Sequence, residues 1–226
     1  MVDVNAQIQA VTRGVQTMEV DGDPAYMQTI AQTYASPIDD VWDALTSPDR
    51  IPRWFLPISG DLRLGGHFQL EGNAGGEVQE CSPPAGGAAH YRITWTSGGA
   101  PDSWVTVRLD AVSNDETTVE LEHIAKVADI PDGFWDRFGR SATGIGWDSG
   151  FLGLALHLGS AADGPTPEAG AAWMMSDEGR QFSRGAADAW AAAHVEDGAD
   201  AETAANAAHA TYLLYAGESS EGMPEA

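Results

Sequence analysis

The clearest hydrophobic rhythm lies in residues 36–57, SPIDDVWDALTSPDRIPRWFLP. Ile38, Val41, Trp42 and Leu45 recur at i, i+3, i+4 and i+7, which places them on one helical face. Ser36 stands where a helix is capped, and Pro37 fits the first helical position, where a missing N–H is no loss. The pattern predicts a helix that stops near Ser47-Pro48, a second cap there, and a short second helix carrying Ile51, Trp54 and Phe55. Pro52 falls one turn in and keeps that helix short. Two short helices ending on Trp-Phe-Leu-Pro make a wedge suited to plugging one end of a curved sheet.

On either side the period falls to two. Residues 15–34 read as a hairpin around Asp21-Gly22, a strong turn dipeptide. After Gly60 come six apolar–polar runs: DLRL (61–64), HFQLE (67–71), EVQEC (77–81), HYRITWTS (90–97), SWVTVRLD (103–110) and TTVELEHIAK (117–126). Glycine- and proline-rich links join them, so an antiparallel meander is expected. A long helix should follow Pro131 and run through WDSGFLGLALHLG. The expected class is therefore α+β. Residues 1–24 form an extension, 25–162 the main domain, 163–175 a linker, 176–216 a helical hairpin, and 217–226 a disordered end. Helices are expected at 176–195 and 200–216, docked through Trp173, Phe182, Trp190, Tyr212, Leu213 and Tyr215, because short isolated helices are marginal in water.

Alternation also sorts the strand side chains by face. Tyr91, Ile93 and Trp95 share one face, as do Val105, Val107 and Leu109, and Val119, Leu121, His123 and Ala125. His123 thus follows an apolar series into the concave side. It reads either as a core histidine bonded to a neighbour or as a polar handle in an apolar cavity. Tyr91 is the only polar neighbour these series offer it. Trp54, Phe55, Phe68, Trp95, Trp147 and Phe151 complete the candidate lining, although each taken singly reads as ordinary core. Asp148 could cap or pair near the long helix, or stand at the cavity mouth. Asp61 and Arg63 are expected to pair with surface charges across strands.

Charge narrows the partners. The chain carries 34 acidic against 11 basic side chains, a formal charge of −23, and its one lysine is Lys126. Nucleic acid and anionic membranes hold proteins through Lys and Arg, so neither is expected as a partner. No run of ~18 apolar residues suggests a membrane span. The first residues lack the basic start and apolar run of a signal peptide, and the single cysteine, Cys81, cannot form an internal disulfide. Cytoplasmic residence is the expectation. His67, His90, His123, His157, His194 and His209 show no metal-binding spacing, and no phosphate-loop motif occurs. No metal and no cofactor are expected.

The words VWDALTSPDRIPRWF, GDLRLGGHF, GNAGG, ECSPP, ITW, SWVTVRL, VELEH and GWD occur in this order across roughly residues 26 to 160. In that order the chain resembles the activator of heat-shock-protein-90 ATPase homologue-like family, within the START-like, SRPBCC (polyketide cyclase-like) superfamily. The resemblance implies a helix-grip fold, in which a curved antiparallel sheet wraps a long C-terminal helix and leaves a cavity. The helical tail and the residues before 24 extend beyond the minimal domain. Three functions follow from the resemblance: a non-enzymatic protein binding an apolar, aromatic or lipidic small molecule; a cyclase or aromatase in which His123 supplies acid–base chemistry; and a co-chaperone touching an ATPase. The first is preferred, because an isolated imidazole on an apolar wall is thin equipment for proton transfer.

Overall fold

The computed structural model describes residues 3–97, 102–160 and 167–218. Its helices are α1 (Val4–Ala10), α2 (Ile38–Thr46), α3 (Phe134–Phe138), α4 (Ser141–Leu158), α5 (Pro167–Met174), α6 (Asp177–Glu196) and α7 (Ala201–Tyr215). Its strands are β1 (Thr12–Val20), β2 (Asp23–Tyr34), β3 (Ile58–Gly60), β4 (His67–Leu70), β5 (Gly75–Ala85), β6 (Ala88–Trp95), β7 (Ser103–Ala111) and β8 (Thr117–Lys126). They form one antiparallel sheet in the order β1-β2-β8-β7-β6-β5-β4-β3. The chain divides into two compact units: Met1–Ile30, Lys126–Ser149 and Glu168–Ala226 in one, Ala31–Ala125 and Gly150–Pro167 in the other. β2 and α4 run from one into the other.

The second unit holds the meander. Val105 pairs with His123 and Ile93, and Val107 with Leu121 and Tyr91, so the predicted alternation is realised strand by strand. Val105, Val107, Leu109 and Val119 are buried, while Arg108 and Asp110 on the opposite face of β7 are exposed. α2 packs on β5 and β7. The last turns of α4 meet the segment after α2: a Cβ placed on Gly153 would lie 2.2 Å from the Trp54 carbonyl oxygen. Only glycine permits that approach.

Several local expectations change. Ser36 does not cap α2; Pro37 takes the cap position, and the Ser36 hydroxyl donates to the Asp40 carboxylate at 2.6 Å. The predicted second helix reduces to one 3-10 turn, Ile51–Arg53, with Pro52 in its first turn, where proline is tolerated. DLRL is not a strand. β3 instead comes earlier, at Ile58–Gly60, and Asp61 and Arg63 pair with each other in the following loop at 2.7 Å rather than across strands. β5 runs on through Pro83 and Pro84, with register shifts on either side of Glu80–Ser82.

In the first unit, Asp21 (φ 56°) and Gly22 (φ 86°) both adopt the left-handed region, which turns β1 into β2 as the dipeptide predicts. The long helix expected after Pro131 is two helices, broken at Gly139 with φ 59°. α6 and α7 lie within one residue of the expected helices, capped by Ser176 and Asp200 side chains that accept from Gly179 and Thr203 amides. α6 packs on the N-terminal α1 and β1, and α7 packs on α3. Trp190 and Phe182 are fully buried there, beside a core of Ile145, Ala186, Ala187 and Ala208. Residues 167–174 of the expected linker are helical, while 163–166 lie outside the described residues, as do 219–226 of the end expected to be disordered.

Candidate functional site

The site builds up from strand register in the second unit. Four inner-face rows cross the strands: Ser103 with Trp95; His123, Val105, Ile93 and Val78; Leu121, Val107, Tyr91 and Cys81; Val119, Leu109 and Ala89. The floor of these rows is closed, with Val105 and Val107 each 2% exposed. The β6 members differ: Tyr91, Ile93 and Trp95 stay only half-buried.

His123 is tied down. Its Nε2 lies 3.0 Å from Ser103 Oγ, and that hydroxyl donates to the Trp95 carbonyl at 2.8 Å. The one serine proton is therefore used, so the imidazole donates from Nε2 and the serine accepts. Burial lowers the His123 pKa to about 4, leaving the ring neutral at pH 7. A neutral histidine spending its Nε2 proton on Ser103 is a poor acid or base near neutrality. Strand parity carried the signal for Ser103, since 103 continues the series 105, 107, 109, and the sequence reading overlooked it in naming Tyr91 as the sole polar neighbour.

Tyr91 sits across from Val107 and Cys81, with Trp42 of α2 edge-on to its ring at 6.1 Å and 67°. Burial pushes its hydroxyl well above the ordinary tyrosine range. That hydroxyl makes no hydrogen bond among the described residues. Trp42 is the other member that sequence reasoning placed on the core face of α2 but not at the site.

Trp54 and Phe55 stack on each other at 5.5 Å and are half-buried, not enclosed. The Trp54 indole N–H donates to the Ala44 carbonyl at 2.9 Å, and the Phe55 ring lies against Gly150 of α4. Phe151 is buried; its carbonyl accepts from the Tyr34 hydroxyl at 3.2 Å. Arg50 fastens this end, donating to Asp40 at 2.7 Å, to Asp43 at 3.0 Å and to His157 Nε2 at 3.0 Å. Phe68 is buried on β4 opposite Gly60 and Gly76, and Gly76, two residues before Val78, puts it on the same face as the rows above. Trp147 falls in the first unit.

The first unit has its own polar centre. Arg13 grips Asp148 through two N–H groups at 3.1 and 2.5 Å, and the Trp190 indole N–H adds a third bond at 2.7 Å. Arg13 and Asp148 side chains are 5% and 1% exposed. Burial pushes the carboxyl upward, and these donors pull against it. With three donors on it, Asp148 is a buried strut and not a reactive group. Among the described residues, no group of three or more His, Cys, Asp or Glu could hold a metal, and no helix is long and apolar enough to cross a membrane.

Comparisons with known proteins agree with this architecture. No curated protein matches the chain. The crystal structure of CalU16 from Micromonospora echinospora is 32% identical, with a TM-score of 0.60, covering 82% of this chain and 98% of that one. Its solution NMR structure gives 32% identity, a TM-score of 0.65, and coverage of 83% and 97%. EF2215 from Enterococcus faecalis, a conserved protein of unknown function, is 12% identical with a TM-score of 0.51, over 76% of this chain and 92% of that one, and shows the fold alone. The fold is the expected helix-grip arrangement, a curved antiparallel sheet with a long C-terminal helix and an added helical tail. A family profile described as Activator of Hsp90 ATPase homolog 1-like protein matches residues 35–156. The chain belongs to the family of proteins like the activator of Hsp90 ATPase homolog 1.

Proposed function

We propose that the protein is a non-enzymatic binder of a small apolar molecule, held between the inner face of β5–β8 and the α2 wedge. The observation that carries this reading is the contrast on that face. The valine and leucine floor is closed, yet Trp42, Tyr91, Ile93, Trp95, Trp54 and Phe55 all keep accessible surface. In a filled core such side chains would close on the floor, because interiors pack to crystal-like density. An apolar wall with few polar groups is the usual make-up of a small-molecule site.

A cyclase or aromatase reading would need His123 to exchange a proton near neutral pH. A pKa of about 4 and an Nε2 proton committed to Ser103 weigh against it. The co-chaperone reading rests on the family's description alone, and fold does not imply function. Mass spectrometry of the protein purified under native conditions tests the preferred reading. A co-purifying small molecule, displaced by a neutral fluorescent apolar probe such as N-phenyl-1-naphthylamine, is expected. If no apolar probe binds saturably, this reading is wrong.

A further inference from the structure

The Tyr91 hydroxyl is out of place. Its row is otherwise Leu121, Val107 and Cys81, its ring is flanked by Trp42, and its oxygen has no hydrogen-bond partner among the described residues. Several other hydroxyls of this unit have protein partners. Tyr34 donates to the Phe151 carbonyl, Thr117 to the Ser36 carbonyl, and Ser103 to the Trp95 carbonyl. His123 spends its Nε2 proton on Ser103. Tyr91 is only half-buried and its oxygen is not sealed in the core, so a molecule lying on this face can reach it, whereas phenylalanine would offer it nothing to bond.

We infer that Tyr91 selects the ligand, by giving its hydroxyl to a hydrogen-bonding oxygen on an otherwise apolar ring system. This rests on the binding reading above. A hydrocarbon of the same shape would bury the hydroxyl unpaired, whereas a ligand hydroxyl or carbonyl would satisfy it. One such bond discriminates by about tenfold or more. The phenol can both donate and accept, so either kind of oxygen serves.

The test compares 2-naphthol with 2-methylnaphthalene, two ligands of nearly one shape, as displacers of N-phenyl-1-naphthylamine. Both are measured on the intact protein and on Tyr91→Phe. Melting curves check that the variant folds, which is expected because no protein hydrogen bond is removed. The ratio of the two affinities should shift by about tenfold toward 2-methylnaphthalene in the variant. An unchanged ratio, with both compounds still binding, overturns the role of Tyr91 and leaves the cavity reading standing. If the probe binds and neither compound displaces it from the intact protein, the role of Tyr91 falls alone; if the probe does not bind saturably either, both ideas fall together.

Discussion

His123 and Ser103 meet diagonally across β8 and β7, two residues from direct opposition, with Nε2 and Oγ 3.0 Å apart. The serine passes its own proton to Trp95, so the pair is a one-way chain from imidazole to hydroxyl to carbonyl. Ser103→Ala should leave the buried Nε2–H without its acceptor. The expected cost is about 1–3 kcal/mol, read by urea denaturation at pH 7. A loss within experimental error would mean that the serine bond contributes nothing to stability.

The same ring predicts a pH dependence. Its folded pKa of about 4 lies below the ordinary 6.5, so between these values the unfolded chain binds a proton that the folded chain refuses. Stability from this group is therefore present above pH 6.5 and is lost as the pH falls toward 4, by about 3 kcal/mol in total. Many acids also titrate in that window, so the measurable quantity is a difference. His123→Gln should show a shallower decline in unfolding free energy between pH 7 and pH 4.5 than the parent protein. Parallel declines would show that the imidazole stays accessible to protons in the folded state.

Gly153 and Trp54 supply a test of opposite sign. Helix propensity alone predicts that Gly→Ala in a helix stabilises by roughly 1 kcal/mol. Here the added methyl would meet the Trp54 carbonyl oxygen at 2.2 Å, a backbone atom that cannot swing aside. Gly153→Ala should destabilise by about 1–3 kcal/mol in thermal or chemical unfolding. A stabilised variant would show that α4 and the wedge do not approach as closely as described.

Trp54 itself is half-buried, so its truncation costs less than a fully enclosed tryptophan would. Trp54→Ala should lose about 2 kcal/mol, short of the ~3–5 kcal/mol typical of buried sites. Trp54→Phe should keep the stacking on Phe55 and lose only the bond to the Ala44 carbonyl, about 1 kcal/mol. Equal losses in the two variants would place the whole effect in that hydrogen bond.

Removal of Arg13 strands a carboxylate that is 1% exposed. Arg13→Met should cost about 3–5 kcal/mol, since breaking a buried pair from one side is far worse than replacing both partners. Asp148→Asn added to it should recover part of that loss, because the amide oxygen still accepts from Trp190 without a charge. The four proteins form a double-mutant cycle in chemical denaturation. Additive losses would mean that the pair is solvated in solution.

The local pattern of the chain determined much of this protein. Period-two alternation was enough to place Tyr91, Val105, Val107, Leu121 and His123 on one face, because side-chain direction in a strand depends only on parity. Asp21-Gly22 settled its turn, and the caps at Ser176 and Asp200 settled two helix starts, since both are properties of a few consecutive residues. Proline marked where the wedge ends, but how far the chain coils after Pro52 depended on what it met. That was α4, pressed against it at Gly153. Tertiary structure alone decided that Asp148 would pair with Arg13, 135 positions away, and that the tail would pack on α1 and β1. Charge and apolar content tell a chain what must be paired or buried, and only the folded geometry chooses the partner. Tyr91 shows the same limit at the site. Parity places its ring, but only the surrounding atoms leave its hydroxyl without a partner.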